Sequence, residues 1–139
     1  MSIKNIDLGL CCINTRLRAQ KPTITCNRTC RLKTANEKGV VYIQTLVKAN
    51  LRDVLKILQW NVDNNIKSYR LSSDMFPHFS NPSFGECSEN KIRYNIDFAK
   101  PLLHEIGKFA IENHIRLSFH PGQYNQIASP SEDVFKKTV

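Results

Sequence analysis

His120 closes an apolar run at 115–119, and Asn14 follows another at 6–13. Ser72, Ser73 and Asp74 end a third run at 68–72, with His78 and Asn81 beyond them. In parallel α/β folds, ligands bind at the C-terminal ends of the strands, so these are the candidate site residues. A neutral imidazole at such a place suits zinc, manganese or iron. The other reading of a single histidine is a hydrogen-bonded structural residue. His104 and His114 fall in or after a helix. His114 can interact favourably with the helix C-terminus, and neither is given a catalytic role. Cys11, Cys12, Cys26, Cys30 and Cys87 are a second kind of ligand. Their spacing matches no standard zinc ribbon or finger. Adjacent Cys11 and Cys12 on a strand would face opposite sides. Buried or loop thiols are the alternative to zinc.

Charge is concentrated near the start. The chain has 139 residues with 20 Lys+Arg against 12 Asp+Glu, a net charge of +8. Residues 1–40 hold eight basic and two acidic residues, so +6 lies there. From Arg16 to Lys33 there are six cations and no acid, mixed with Thr15, Thr23, Thr25, Asn27 and Thr29. Cations beside short polar donors suit a phosphate backbone, because they neutralise charge and hydrogen-bond to phosphate oxygens. A solvated basic loop without a partner is the plainer alternative.

The elements that position these residues follow from periodicity. The runs near 6–13, 68–72 and 115–119 read as strands. Val47, Leu51, Val54, Leu55, Leu58 and Val62 share one face of a helix near 45–64, ended by Asp63, Asn64 and Asn65. The stretch 14–36 reads as a long polar loop. A second helix near 98–113 carries Leu102, Leu103, Ile106, Phe109 and Ala110 on one side, with Pro101 in its first turn. Ser129, Pro130 and Glu132 form a capping box that opens a third helix near 130–139. Strands alternating with helices predict a parallel sheet with right-handed crossovers.

Several classes are excluded. With 41% hydrophobic residues the chain can build a core. No apolar run reaches the roughly 20 residues of a membrane span. An odd cysteine count and an N-terminus without a signal pattern predict reduced thiols in an intracellular setting: cytoplasm, nucleus or a virus-encoded protein. The length falls short of the roughly 200–250 residues of an eight-stranded barrel. The third helix stops under three turns after its cap. The chain is therefore expected to be part of a larger α/β assembly, with open sheet edges prone to associate.

Five blocks carry a resemblance. They are Leu8 to Asn14 (LGLCCIN), Asn27 to Leu32 (NRTCRL), Asn50 to Asn61 (NLRDVLKILQWN), Tyr69 to Pro77 (YRLSSDMFP) and Leu117 to Tyr124 (LSFHPGQY). In order and spacing, they resemble the N-terminal half of the UV-damage endonuclease family, and the last block is the most specific. The resemblance implies a partial (β/α)₈ TIM barrel similar to endonuclease IV, with residues 1–139 as the N-terminal portion of one barrel domain. It implies nicking of damaged double-stranded DNA on the 5′ side of ultraviolet photoproducts, with divalent metal ions, manganese favoured. By resemblance, His120 is a metal ligand. Gln123 and Tyr124 are the probe inserted at the lesion, where a ring can stack and an amide can bond an exposed base edge. Asn14 and Leu10 fall in the lesion pocket, and Asn27, Arg28 and Arg31 in a block that meets the DNA backbone.

Two positions depart from the family. Leu10 stands where the family often has Tyr, so one damage-contacting ring is missing. Asn81 stands where the family often has a metal-binding His, and an amide oxygen is the weaker ligand. His78 is the substitute nearby. The remaining metal ligands, and with them the catalytic residues, are expected beyond Val139, from a missing C-terminal half. The chain alone is then expected to be inactive. The competing readings are a DNA-binding remnant that keeps the probing loop without cleavage, and a metal-dependent sugar isomerase-like barrel.

Overall fold

The computed structural model describes residues 7–79, 81, 83–84, 94–120 and 130–138. Its elements are β1 (Gly9–Cys11), α1 (Thr15–Arg18), α2 (Leu32–Asp63), β2 (Ser68–Ser72), α3 (Lys100–Glu112), β3 (Arg116–His120) and α4 (Glu132–Thr138). The strands form one parallel sheet in the order β1-β2-β3. Gly9 pairs with Ser68, and Cys11 with Arg70. Ser68 pairs in turn with Arg116, and Ser72 with His120. This is the predicted βαβαβα order, with neighbouring strands joined through helices as parallel pairing requires.

The core lies between α2 and the sheet. Ile43, Val47, Leu51, Val54 and Leu58 of α2 are fully buried, as is Tyr69 of β2. Each such side chain contributes roughly 1.5–3 kcal/mol by leaving water. From α3, Ile106 and Ala110 join the cluster. Pro101 lies in the first turn of α3, as its missing N–H requires. Asn65, at φ +55, turns the chain out of α2, and Asn64 Nδ2 donates to Trp60 O at 2.8 Å.

The predicted boundaries need four corrections. First, α2 starts at Leu32, not near 45. Two helical segments merge across Gly39, whose φ of 74° and ψ of −173° interrupt the helix without ending it. Ala35, fully buried, extends the buried face one segment earlier than the large apolar residues reveal. Second, the stretch read as loop contains α1, capped by Asn14 and anchored by buried Leu17. Third, β1 is short: Cys12, at φ +54, leaves the strand. Fourth, α4 opens at Glu132. Phe135 N donates to Ser131 O at 3.0 Å, so Ser131 takes the cap position expected for Ser129; Ser129 itself lies outside the described residues.

The segment after β2 is organised by aromatic rings. Phe79 meets Tyr94 edge-on at 5.5 Å, and Phe84 meets Tyr94 at 6.1 Å. Tyr94 Oη donates to Pro77 O at 2.7 Å, so its buried hydroxyl has a partner.

Candidate functional site

The parallel register brings the C-terminal ends of β1, β2 and β3 to one rim. On it lie Asn14 just after β1, the 3₁₀ turn Ser73–Met75 just after β2, and the backbone of His120 at the end of β3. Asn14 is buried, and its Oδ1 accepts from Leu17 N at 3.0 Å. An Asn in extended conformation before a helical turn is a good cap, so the same side chain both starts α1 and stands at the rim. Its Nδ2 is buried with no partner among the described residues. A buried donor left unpaired costs about 1–3 kcal/mol.

The basic loop after α1 is pinned from the side by α2. Arg28 N donates to Asn50 Oδ1 at 2.8 Å, and Asn50 Nδ2 returns to Arg28 O at 3.0 Å. The same Nδ2 reaches Met75 O at 3.2 Å, so one fully buried amide ties the loop after β1 to the turn after β2. Three residues further along the helix, Asp53 accepts from Thr25 N at 3.0 Å and from Lys56 Nζ at 2.8 Å. It also holds the Arg28 guanidinium, which donates to the Thr23 and Thr25 carbonyls as well. Burial alone would raise the Asp53 pKa. The hydrogen bonds from Lys56, Thr25 and Arg28 outweigh it and hold the carboxyl below its ordinary value.

This network divides the basic residues. Arg28 turns inward to Asp53. Asn27 Oδ1 accepts from the Thr25 hydroxyl. Arg16, Arg18, Lys21 and Arg31 are exposed and have no ion pair among the described residues. The sequence pattern singles out the cations but not Asn50 and Asp53, which hold the loop. The only signal for those two is a pair of short polar residues set beside Leu51 and Val54.

Beyond β2, His78 adopts φ +60, a conformation in which Asn, Asp and His are enriched among non-glycine residues. Its Nε2 lies 2.9 Å from the Cys30 carbonyl oxygen, to which it donates, and its ring stacks on Phe84 at 6.1 Å. Asn81 Oδ1 accepts from Ser83 N at 3.0 Å, a local turn contact. Leu10 lies mid-strand, half-buried, paired with Tyr69. Gln123 and Tyr124 lie outside the described residues. No group of three or more His, Cys, Asp or Glu side chains among the described residues could hold a metal ion. His104 and His114 lie away from the rim, in α3 and just after it.

The thiols do not follow strand alternation. The left-handed turn at Cys12 brings Cys11 Sγ to 3.7 Å from Cys12 Sγ. Burial, then the Cys11 hydrogen bond, pushes the Cys12 thiol up to about 11. Buried Cys26 lies 3.4 Å from Tyr69 Oη, and burial raises both groups. No helix among the described residues is long and apolar enough to cross a membrane.

The family model described as "UV-endonuclease UvdE" matches residues 6–139. The UV-damage endonuclease of Schizosaccharomyces pombe (strain 972 / ATCC 24843) is 39% identical over 132 residues, which is 95% of this chain and 21% of that protein. The putative UV-damage endonuclease of Acanthamoeba polyphaga mimivirus is 37% identical over 133 residues, 96% of this chain and 38% of that protein. The crystal structure of SacUVDE superposes with a TM-score of 0.75 at 28% identity, over 96% of this chain and 41% of that one. The chain thus spans less than half the length of these relatives. Its three βα units are an α/β fold of the partial-barrel kind.

Proposed function

The chain belongs to the UV-endonuclease UvdE family, and on that premise we propose that it is the DNA-reading sector of a UV-damage endonuclease. The whole enzyme would nick damaged duplex 5′ to ultraviolet photoproducts by metal-dependent phosphodiester hydrolysis. The observation that carries the reading is the common rim: parallel register sets the basic loop and Asn14 after β1 on the same rim as the end of β3, with the end of β2 between them. Arg16, Arg18, Lys21 and Arg31 supply exposed positive charge for phosphates. Asn14 Nδ2 supplies a donor for a displaced base. Gln123 and Tyr124 are the proposed probe. A dimer that stacks poorly costs less to extrude than a normal pair, which favours damaged over intact DNA.

Divalent metal, manganese first, is the proposed cofactor, but the described residues do not fit a metal centre by themselves. His78 Nε2 and Asn81 Oδ1 are already engaged in local hydrogen bonds. His120 would contribute one ligand from the end of β3, with the others supplied by the rest of the barrel. The hydrolytic step would therefore fall to the rest of the barrel. Two experiments test the reading. The 139-residue chain with Mn²⁺ and irradiated plasmid is expected to leave the plasmid closed; efficient nicking would overturn the division of labour. Tyr124→Ala is expected to reduce the preference for irradiated over intact duplex more than total binding. Equal loss on both would remove Tyr124 from the probe role.

A further inference from the structure

The Cys11–Cys12 pair takes no part in the reading above. On a regular strand two adjacent side chains diverge. Here the left-handed Cys12 folds them together, with the sulfurs 3.7 Å apart. The conformation is held from three sides. Cys12 N donates to Arg70 O at 2.8 Å, Tyr69 Oη donates to Cys12 O at 2.9 Å, and Cys26 Sγ donates to the same oxygen at 3.3 Å. Cys11 is exposed and Cys12 half-buried, so the pair opens to solvent on one side. Cys26 is buried and occupied by its own contacts, and Cys30 lies by His78.

We infer that Cys11 and Cys12 form a preorganised dithiol that chelates a thiophilic trivalent centre of the organoarsenic(III) class. Size decides between such a bridge and a disulfide. A disulfide needs sulfurs about 2.05 Å apart and Cα atoms roughly 4.4–6.8 Å apart. Consecutive Cα atoms are only about 3.8 Å apart, so direct closure strains the backbone. A bridging atom bonded to both sulfurs spans the observed gap with little movement. Two thiols are too few for the four ligands of structural zinc, whereas a monosubstituted arsenical has two groups to exchange.

The exchange balances without an oxidant. Each S–H bond breaks as an As–S bond forms. Each As–OH bond breaks, and the hydroxide leaves as water with the thiol proton. Arsenic stays trivalent throughout. The thiol proton ends on the leaving hydroxide as water, so the exchange is neutral overall. Fixing the pair before binding removes the cost of ordering it.

The test is intact-mass analysis of the reduced chain with phenylarsine oxide, washed with excess glutathione. One adduct should survive the monothiol and be removed by 2,3-dimercaptopropanol. Proteolytic mapping should place it on the peptide holding Cys11 and Cys12, a readout that does not depend on any variant folding. Cys11→Ser or Cys12→Ser should lower retention by about 100-fold, because the second bond no longer forms intramolecularly. Cys26→Ser, Cys30→Ser and Cys87→Ser should leave it unchanged. An adduct mapped elsewhere, or equal retention in Cys11→Ser, would overturn the assignment. Ready formation of a Cys11–Cys12 disulfide with diamide would overturn the size argument.

Discussion

Asp53 is nearly buried, yet it stays charged because every donor around it is aimed at its oxygens. Asp53→Asn keeps the shape and removes the charge, leaving the Arg28 guanidinium without its counter-ion. The expected loss is about 2 kcal/mol, read from the urea midpoint; an unchanged midpoint would mean that the network contributes nothing. The pH dependence follows from the direction of the shift. A carboxyl whose folded pKa is depressed contributes its stability in full above its unfolded value, near 4. That contribution is lost as pH falls through the lower folded pKa. Wild type should lose this increment on acidification, while Asp53→Asn lacks it throughout. This part of the site was scarcely legible in the sequence. Asn50 and Asp53 read as polar flanks of an apolar helical stripe. They become interior only because a loop from a distant part of the chain arrives on top of them.

α2 illustrates what periodicity reveals and what it misses. The stripe from Val47 to Leu58 was legible because large apolar residues recur at helical spacing: Val47, Leu51, Val54 and Leu58 are fully buried, whereas Leu55 and Val62 are only partly so and buried Ile57 lies outside the expected set. The first turns were not, because Lys33, Thr34, Asn36 and Glu37 surround a single small buried residue, Ala35. Gly39 adds a break that backbone conformation alone explains. A Cβ built there meets nothing within 4 Å, so only its φ of +74° resists substitution. Gly39→Ala should therefore destabilise by about 1–3 kcal/mol through strain. Gly107, inside α3, also has nothing within 4 Å and carries no such φ. Gly107→Ala should stabilise by about 0.5–1 kcal/mol, since alanine loses less backbone entropy in a helix. Thermal melts of the two variants should move in opposite directions; a shared direction would refute the distinction. The parallel strand direction was legible from the βα alternation, whereas the left-handed Cys12 was not, because no local pattern marks it.

For the whole molecule, the division between inward Arg28 and outward Arg16, Arg18, Lys21 and Arg31 predicts how duplex binding responds to salt. Replacing any one of the four exposed cations with Ala should lower the slope of log affinity against log salt by about 1. Fluorescence anisotropy on a labelled irradiated duplex measures it, and slopes that stay constant across the four would place the contact surface elsewhere. The family and the partial barrel were legible because five blocks kept their order. The lesion-probe roles proposed for Gln123 and Tyr124 rest on the resemblance alone, and both residues lie outside the described residues. The double tie from Asn50 and Asp53 has a consequence for encounter. The backbone of the loop around Thr25 and Arg28 is fixed when the chain folds. Its configurational entropy is lost then and not again at association. On the proposed reading, DNA approaching this rim would meet a template already in place, and its capture would be governed by diffusion and long-range attraction rather than by a search through loop conformations.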